Sequence, residues 1–260
     1  MSAVAKIALA LAAVAMVGPL LFKGVSHSWA GTPWHRTDRS STGLAPEPQV
    51  TREAVVQVYA APTYGWRGIF AVHTWIAVKD AEARRYDRWD VMGWGRGRVI
   101  RHNYDGADHR WFGREPSLLL DVRGDRAADL IPKIREAVAA YPWPETYRSF
   151  PGPNSNTFVA FVARQVPELG LDLPPTAIGK DFRPLADPVG RAPSGGGLQV
   201  NLLGLAGLIV APAEGVELNI LGLGLGVDIA DPALRLPGIG RVGVSQGVAT
   251  GETDTDQKHR

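Results

Sequence analysis

A serine and a histidine occupy positions from which they could act together on a carbonyl group. Ser155 lies in an Asn-Ser-Asn-Thr-Phe string at 154–158, directly after a Gly-Pro loop and at the predicted start of an apolar helix. Helix N-termini stabilise developing negative charge, and their free N–H groups can form part of an oxyanion hole. His73 lies inside the most apolar predicted strand, where a neutral imidazole needs a reason to be buried. A serine hydroxyl needs a general base when it attacks, and His73 is the candidate for that role.

Three further residues are candidates for the same site. A histidine base is usually oriented by a third group, and Asp90 and His102 lie on the predicted strands that follow that of His73. Successive side chains of a strand point to opposite faces of the sheet. The register of each strand therefore decides which of the two lies on the face of His73, and the sequence leaves both open. Asn154, or a backbone N–H of the first helical turn, is the predicted oxyanion donor.

The same residues also have an interpretation without chemistry. Serine is frequent at helix starts, where its hydroxyl accepts a hydrogen bond from a backbone N–H, and His73 could be a hydrogen-bonded core residue. The alternatives to a catalytic pair are therefore a silent site that binds a ligand in the same cleft, or a purely structural protein held at a membrane by the C-terminal repeat.

Composition excludes several other kinds of chemistry. The chain has no cysteine, which excludes disulfides, thiolate metal sites and a cysteine nucleophile. Its six histidines show no metal-ligand spacing, and a net charge of +2 gives no basic surface for nucleic acid. Gly93, Gly95 and Gly97 could cradle a phosphate, but the Lys-Ser/Thr pair of a P-loop is missing and no helix follows. We interpret these glycines as a hairpin turn and expect neither a metal nor a cofactor.

Apolar periodicity predicts the elements that hold these residues. Strands are predicted at 54–59, 69–78, 86–94, 98–104 and 117–122, and helices at about 129–141 and 154–166. Asp129 is the predicted cap of the first helix, which places Pro132 in its first turn. We therefore expect an α+β domain over 51–185, with helices packed on one side of an antiparallel sheet.

The N-terminus has the pattern of an export segment. An apolar run from Ile7 to Phe22 follows Lys6, which is typical of a secretory signal, and Ser28-Trp29-Ala30 could be its cleavage site. The run could also remain as a short, tilted anchor. Residues 1–30 are thus predicted to be a signal peptide or membrane anchor, and residues 31–50 a linker. The protein is expected to be exported and either anchored in the inner membrane or periplasmic.

A change in composition near residue 185 predicts a second unit. All eight tryptophans precede residue 144, and the later chain is rich in Gly, Leu, Val and Ile. Residues 197–205 and 215–223 form a repeat in which apolar and polar residues alternate, as in half-buried strands. We predict a Gly/Leu-rich β appendage at 186–246 and a disordered tail at 247–260.

The motif around Ser155 carries a resemblance to known families. Tyr147 followed by Asn154-Ser155-Asn156-x-Phe158, with an upstream histidine, resembles the circularly permuted papain-like superfamily of NlpC-type hydrolases, lecithin:retinol acyltransferase-like proteins and PPPDE peptidases. The Gly-Pro-Asn-Ser-Asn-Thr-Phe string and the segment 231–240 also resemble an uncharacterised bacterial family, domain of unknown function 3750. The superfamily resemblance spans roughly 55–166. It implies a permuted papain-like core with its nucleophile at Ser155 and its base at His73.

Serine stands here where active members of that superfamily carry cysteine. A thiol can be ionised by a helix terminus and an imidazole, whereas a hydroxyl needs true general-base help from His73. We expect a cell-envelope hydrolase or acyl transferase acting on amide or ester bonds, or else a catalytically inactive envelope module on the same scaffold. An envelope peptide, glycan or lipid is the expected ligand, and the N-terminal segment is the expected membrane contact.

Overall fold

Two β-sheets and three α-helices make up the described part of the chain, which confirms the predicted α+β class. The computed structural model describes residues 2–26, 32–95, 97–243 and 249–250. The helices are α1 (Ala3–Ser26), α2 (Gly124–Ala139) and α3 (Ser155–Gln165). The strands are β1 (Val55–Pro62), β2 (Val72–Lys79), β3 (Asp87–Val91), β4 (Ile100–His102), β5 (Ser117–Arg123), β6 (Val189–Gly190), β7 (Leu198–Leu202), β8 (Ala206–Ala211), β9 (Gly215–Ile220), β10 (Leu223–Asp228), β11 (Ala233–Leu236), β12 (Gly240–Gly243) and β13 (Ala249–Thr250).

The first sheet holds six strands in the order β13-β5-β1-β2-β3-β4. All its pairs are antiparallel except β13 with β5. Its central strands β1 and β2 are buried on both faces, because apolar residues follow one another along them. One face packs on α2 and α3 and forms the main core around Val58, Ile76 and Phe158. Both helices therefore lie on one side of this sheet, as predicted.

The opposite face of this sheet carries a smaller, aromatic cluster built around Tyr59, Trp75 and Trp111. The segment predicted as a linker packs beside it, since the carboxylate of Asp108 accepts hydrogen bonds from the Ser41 hydroxyl and from the backbone N–H of Leu44. Partly buried hydrogen bonds thus hold this part of the chain to Asp108.

Strands β3 and β4 are shorter than predicted, and the starts of β2 and α2 also differ from the prediction. β2 begins at Val72, because a 3₁₀ helix occupies the residues before it. α2 begins at Gly124, directly after β5, so that Asp129 does not cap it and Pro132 lies inside it. Ala127 is buried and extends the apolar stripe of α2 toward its N-terminus. Packing against the sheet therefore decides where this helix starts.

The second sheet holds seven antiparallel strands in the order β12-β11-β10-β9-β8-β7-β6. The sequence repeat forms β7 and β9 and the turns after them, with the predicted alternation of two faces. The polar face of this alternation is the buried one: Asn201 and Glu217 are buried, whereas Leu198 is exposed. The polar face packs on the segment after α3, where Lys180 and Asp181 hydrogen-bond to it.

Helix α1 lies against β10 and β11 of the second sheet. Over the described residues, no helix combines the length and the apolar composition that crossing a membrane requires. The cleavage site predicted at Ser28-Trp29-Ala30 and most of the predicted tail lie outside the described residues.

Candidate functional site

A cavity of about 1090 Å³ lies at the end of the first sheet, where β2 begins. Its wall includes His73, the first turn of α3, the loops at 63–67 and 147–150, and the turn between β9 and β10. Leu20 of α1 also contributes to it. Eight aromatic side chains line it, those of Tyr64, Trp66, Phe70, Trp94, Trp111, Phe112, Tyr147 and Phe150. Ser155 and His73 are thus polar groups in a largely apolar space.

A reciprocal pair of hydrogen bonds fixes the start of α3. The Asn154 side chain accepts hydrogen bonds from the N–H groups of Asn156 and Thr157, and the Thr157 hydroxyl accepts one from the N–H of Asn154. Nδ2 of Asn154 donates to the carbonyls of Ser149 and Ile178. An amide has only two such donors, so the side chain of Asn154 is fully used by the protein itself. It holds the helix start, and both of its N–H groups, which the prediction assigns to an oxyanion, are bound to backbone carbonyls.

Asn156 joins this helix to the strand that carries His73. Its Oδ1 accepts a hydrogen bond from the Thr74 hydroxyl at 2.9 Å, and its Nδ2 donates to the Val72 carbonyl at 3.0 Å. Both strand residues are neighbours of His73 in β2. The N-terminus of α3 is therefore fastened directly to the beginning of β2.

Ser155 is the first residue of α3 and is only 4% exposed. Among the described residues, neither its hydroxyl nor its backbone N–H has a hydrogen-bond partner. The next two N–H groups of the helix are bound by Asn154, so the N–H of Ser155 is the free donor of the first turn. A free hydroxyl beside a free helix N–H is the arrangement that a nucleophile with an oxyanion donor requires.

His73 is held by a buried carboxylate. Its Nε2 lies 2.9 Å from Oδ1 of Asp90, and its ring stacks on Trp111 with 3.8 Å between the ring centroids. Arg88 binds the same carboxylate through Nε at 2.7 Å and Nη2 at 2.9 Å, and lies over the ring of Trp75. Asp90 is fully buried, and Arg88 is only 1% exposed. This contact fixes the orientation of the imidazole.

The electrostatics of this group leave His73 neutral near pH 7. Burial lowers the pKa of His73 below its usual value, against the opposing effect of the Asp90 carboxylate. Burial alone would raise the pKa of Asp90, but the Arg88 charge and the hydrogen bonds from His73 and Arg88 together lower it. Asp90 is therefore ionised and accepts the Nε2 proton of His73. The unprotonated Nδ1 remains as the basic atom of the ring.

His73 and Ser155 border one cavity but do not touch through a hydrogen bond in the described structure. Strand alternation directs His73 to the face of β2 opposite to Thr74, and Thr74 is the residue that contacts α3. The cavity reaches both faces because it lies where β2 begins. The imidazole and the helix start therefore line the same cavity from different faces of β2.

The structure distinguishes between the two residues predicted to orient His73. Asp90 is the partner, whereas Nε2 of His102 lies 3.0 Å from Asp87 and its ring stacks on Trp89. His102 is half exposed and does not line the cavity. The prediction that it belongs to the site therefore has no contact to support it. His102 pairs with Trp89, which pairs with Ile76, so its side chain lies on the face of the sheet opposite to that of His73.

The family model described as "Protein of unknown function (DUF3750)" matches residues 53–182. The chain belongs to this family. The matched residues include His73, Asp90 and Ser155, and they stop before the second sheet. No curated protein and no solved structure matches the chain. The resemblance of this DUF3750 protein to the papain-like superfamily therefore stays a prediction.

Two features of the site were not predicted from the sequence. Arg88 is two residues from Asp90 on the same strand, so period-two alternation places both on one face and could have indicated their pairing. Trp111 stacks on His73 from a loop outside any regular strand, and no local pattern indicates that contact. Within the described residues, no group of three His, Cys, Asp or Glu side chains is placed to hold a metal ion.

Proposed function

We propose that this protein is a hydrolase or acyl transferase acting on ester or amide bonds, with Ser155 as nucleophile and His73 as general base. Ser155 Oγ attacks the carbonyl carbon of the substrate, and its proton passes to Nδ1 of His73. The free N–H of Ser155 stabilises the resulting oxyanion. The intermediate then collapses, and the leaving alcohol or amine takes the proton from His73. Water or an acceptor molecule finally releases the acyl group from the serine.

The proposal rests on the hydrogen bonding of His73 and Ser155, whose side chains line one cavity. Asp90 holds His73 so that Nδ1 is the free basic atom, and Ser155 offers a free hydroxyl and a free N–H at the start of α3. The direct contact between the helix start and β2 also supports the papain-like resemblance, in which a helix-start nucleophile lies against a strand that carries the histidine.

The wall of the cavity favours a substrate with an apolar body and a negative charge. No Asp or Glu is among the described residues that line it, whereas Arg67 and Arg148 do so, and neither arginine has an acidic partner there. An arginine can bind a carboxylate or phosphate group with two hydrogen bonds, and the aromatic wall can cover an apolar chain. We place this activity outside the cytoplasm, because Lys6 and the apolar run behind it have the pattern of an export signal.

The second candidate function is a binding protein without catalysis. His73 projects from the face of β2 opposite to the one that contacts α3, and no hydrogen bond joins it to Ser155 in the described structure. Both observations favour binding without catalysis. In this case the same cavity would hold an amphiphilic ligand, and Ser155 would contribute a hydrogen bond only.

Labelling with a fluorophosphonate probe distinguishes the two candidates, because the probe reacts only with an activated serine. We expect one covalent adduct on the full chain, located at Ser155 by mass spectrometry, with no adduct on Ser155→Ala. His73→Gln, which keeps a polar side chain beside Asp90, should slow the labelling at least about a hundredfold. Ser149 lines the same cavity and is the matched control, so that Ser149→Ala should label like the unchanged protein. A protein that does not label at all would support binding instead of catalysis.

A further inference from the structure

The outer face of the second sheet is entirely apolar. The pairing registers place only Ala, Val, Leu, Ile and Gly on this face of β6 to β12. Many of these side chains are well exposed, among them Leu198 at 64%, Val210 at 50%, Leu218 at 44% and Leu208 at 43%. A monomeric soluble protein seldom leaves so large an apolar surface in water, so this face has a partner.

The charged residues of the same sheet all point to its inner face. Glu217 binds Arg235 at 2.7 Å and Lys180 at 2.9 Å, and Asp228 binds Arg241 at 3.4 Å. Covering the outer face therefore removes no charge from water. That condition matters most for hydrocarbon, which can neither solvate a charge nor accept a hydrogen bond.

The apolar surface continues past one end of the sheet. The turns at one end of the sheet expose Leu205, Leu221 and Ile239. A side chain added at Gly238 in one of these turns would contact Leu20 of α1, so the helix adjoins the same end. Helix α1 also exposes apolar side chains, those of Ile7, Leu11, Val14, Leu21 and Phe22.

These features favour a lipid bilayer over a protein partner. Protein interfaces have a polar rim and depend on Trp, Tyr and Arg for most of their binding energy, and none of these residue types is on this sheet face. Aromatic residues do occur at its border, where Trp66 and Phe150 are 58% and 48% exposed beside the turn at Gly222 and the end of α1. Such rings are enriched at the level of lipid headgroups.

We propose that the outer face of the second sheet and α1 together dock onto a lipid bilayer, with the aliphatic side chains of β7 to β10 in its hydrocarbon layer. The cavity lining includes Leu20, Leu221 and Leu223, so docking brings its apolar side next to the lipid. This contact does not depend on whether Ser155 is catalytic.

Site-directed spin labelling tests the contact, because the chain contains no cysteine and a single introduced thiol is labelled alone. Leu208→Cys places a label on the outer face. The control is Val50→Cys, at a 77% exposed position shortly before β1. The full chain is measured in detergent-free buffer and with vesicles of equal parts phosphatidylcholine and phosphatidylglycerol. Oxygen, which concentrates in hydrocarbon, and a water-soluble nickel complex are the relaxation agents.

We expect the vesicles to increase oxygen collisions several-fold at residue 208 and to decrease nickel collisions there, with no change at residue 50. The double substitution of Leu208→Lys and Leu218→Lys, at positions that are paired across β8 and β9, should weaken vesicle binding about tenfold. Thermal unfolding checks that this variant remains folded.

Two results would overturn the proposal. A label at residue 208 that stays accessible to nickel on vesicle-bound protein would show that α1 alone binds the bilayer. A label-to-label distance on the order of 10 to 20 Å, with protection from both agents, would show that a second copy of the chain packs on this face.

Discussion

At the scale of single residues, Ser155 and His73 differ from the other hydroxyls and imidazoles by what surrounds them. Ser155 has a free hydroxyl and a free N–H at a helix start, and His73 has one ring nitrogen fixed by Asp90. Asp90 is in turn held by Arg88, which keeps the carboxylate ionised although it is buried. The result is a neutral imidazole whose Nδ1 carries no proton.

The lowered pKa of His73 predicts how activity depends on pH. Burial is the main cause of the shift, so the imidazole stays neutral, and able to accept a proton, down to a pH below its ordinary value of 6.5. The rate of fluorophosphonate labelling should be constant near pH 7 and should decrease only as the pH falls through this lowered pKa. A rate profile measured from about pH 4 to about pH 8 checks this. A midpoint above 6.5 would show that the Asp90 charge outweighs burial, contrary to the account.

The same shift has a consequence for folding. The unfolded chain binds a proton at His73 at a higher pH than the folded chain does, so stability decreases as the pH falls below 6.5. The lowered pKa of Asp90 acts in the same direction at lower pH, since protonating Asp90 costs its contacts with Arg88 and His73.

The sequence pattern indicates which residues line the cavity better than it indicates how they are arranged. Ser155 was identified from its place at a helix start, and His73 from its place in an apolar strand. The selection of Asp90 over His102 depends on strand register, and the stacking of Trp111 depends on a loop, so neither follows from local pattern. The side-chain amide of Asn154 donates hydrogen bonds to two loop carbonyls, one of them at Ile178, far along the chain. Local pattern does not indicate such a contact.

At the scale of elements, most strands and both later helices lie where periodicity predicted them. The main exception is the start of α2, which tertiary packing of Ala127 moves to Gly124. As a consequence, Pro132 lies in the interior of a helix, where it has no N–H to donate to the Ala128 carbonyl.

Pro132→Ala should therefore stabilise the protein. Pro132 is exposed, so the substitution removes no core packing, and it restores one helical hydrogen bond. We expect the free energy of unfolding to increase by about 1 to 2 kcal/mol, after allowing for the greater entropy of the unfolded chain. Urea unfolding followed by circular dichroism measures the change. Glu136→Ala, at an exposed position on the same helix, should change stability by less than about 0.5 kcal/mol. A loss of stability in Pro132→Ala would show that the helix depends on the proline.

At the scale of the whole molecule, buried charges attach the second sheet to the segment that follows α3. Glu217 of β9 binds Lys180, from the segment after α3, and Arg235 of β11. The charges of these two residues lower the pKa of Glu217, although burial acts to raise it. This polar attachment explains why the aliphatic residues of the repeat face outward. The sequence pattern shows the alternation, but the choice of face depends on the partner surface.

Glu217→Gln should loosen this attachment. The substitution keeps the shape of the side chain but leaves the buried ammonium of Lys180 without its carboxylate, and we expect a loss of about 3 kcal/mol in the free energy of unfolding. The control is Glu168→Gln, whose pair with Lys133 is about half exposed and should contribute less than about 1 kcal/mol. Equal effects of the two substitutions in urea unfolding would mean that the buried charges do not hold the sheet.

The central claim is that Ser155 and His73 act as one site, and a thiol placed at residue 155 reports on this most directly. Ser155→Cys introduces the single thiol of the chain, and its rate of alkylation by iodoacetamide as a function of pH gives its pKa. The helix N-terminus and His73 should lower this pKa from the ordinary value of about 8.5 to about 7 or below, and His73→Gln should raise it again. Ser149→Cys, in the same cavity but outside the helix, should keep an ordinary thiol pKa. A thiol at residue 155 that titrates like the one at residue 149, and does not respond to His73→Gln, would contradict the account.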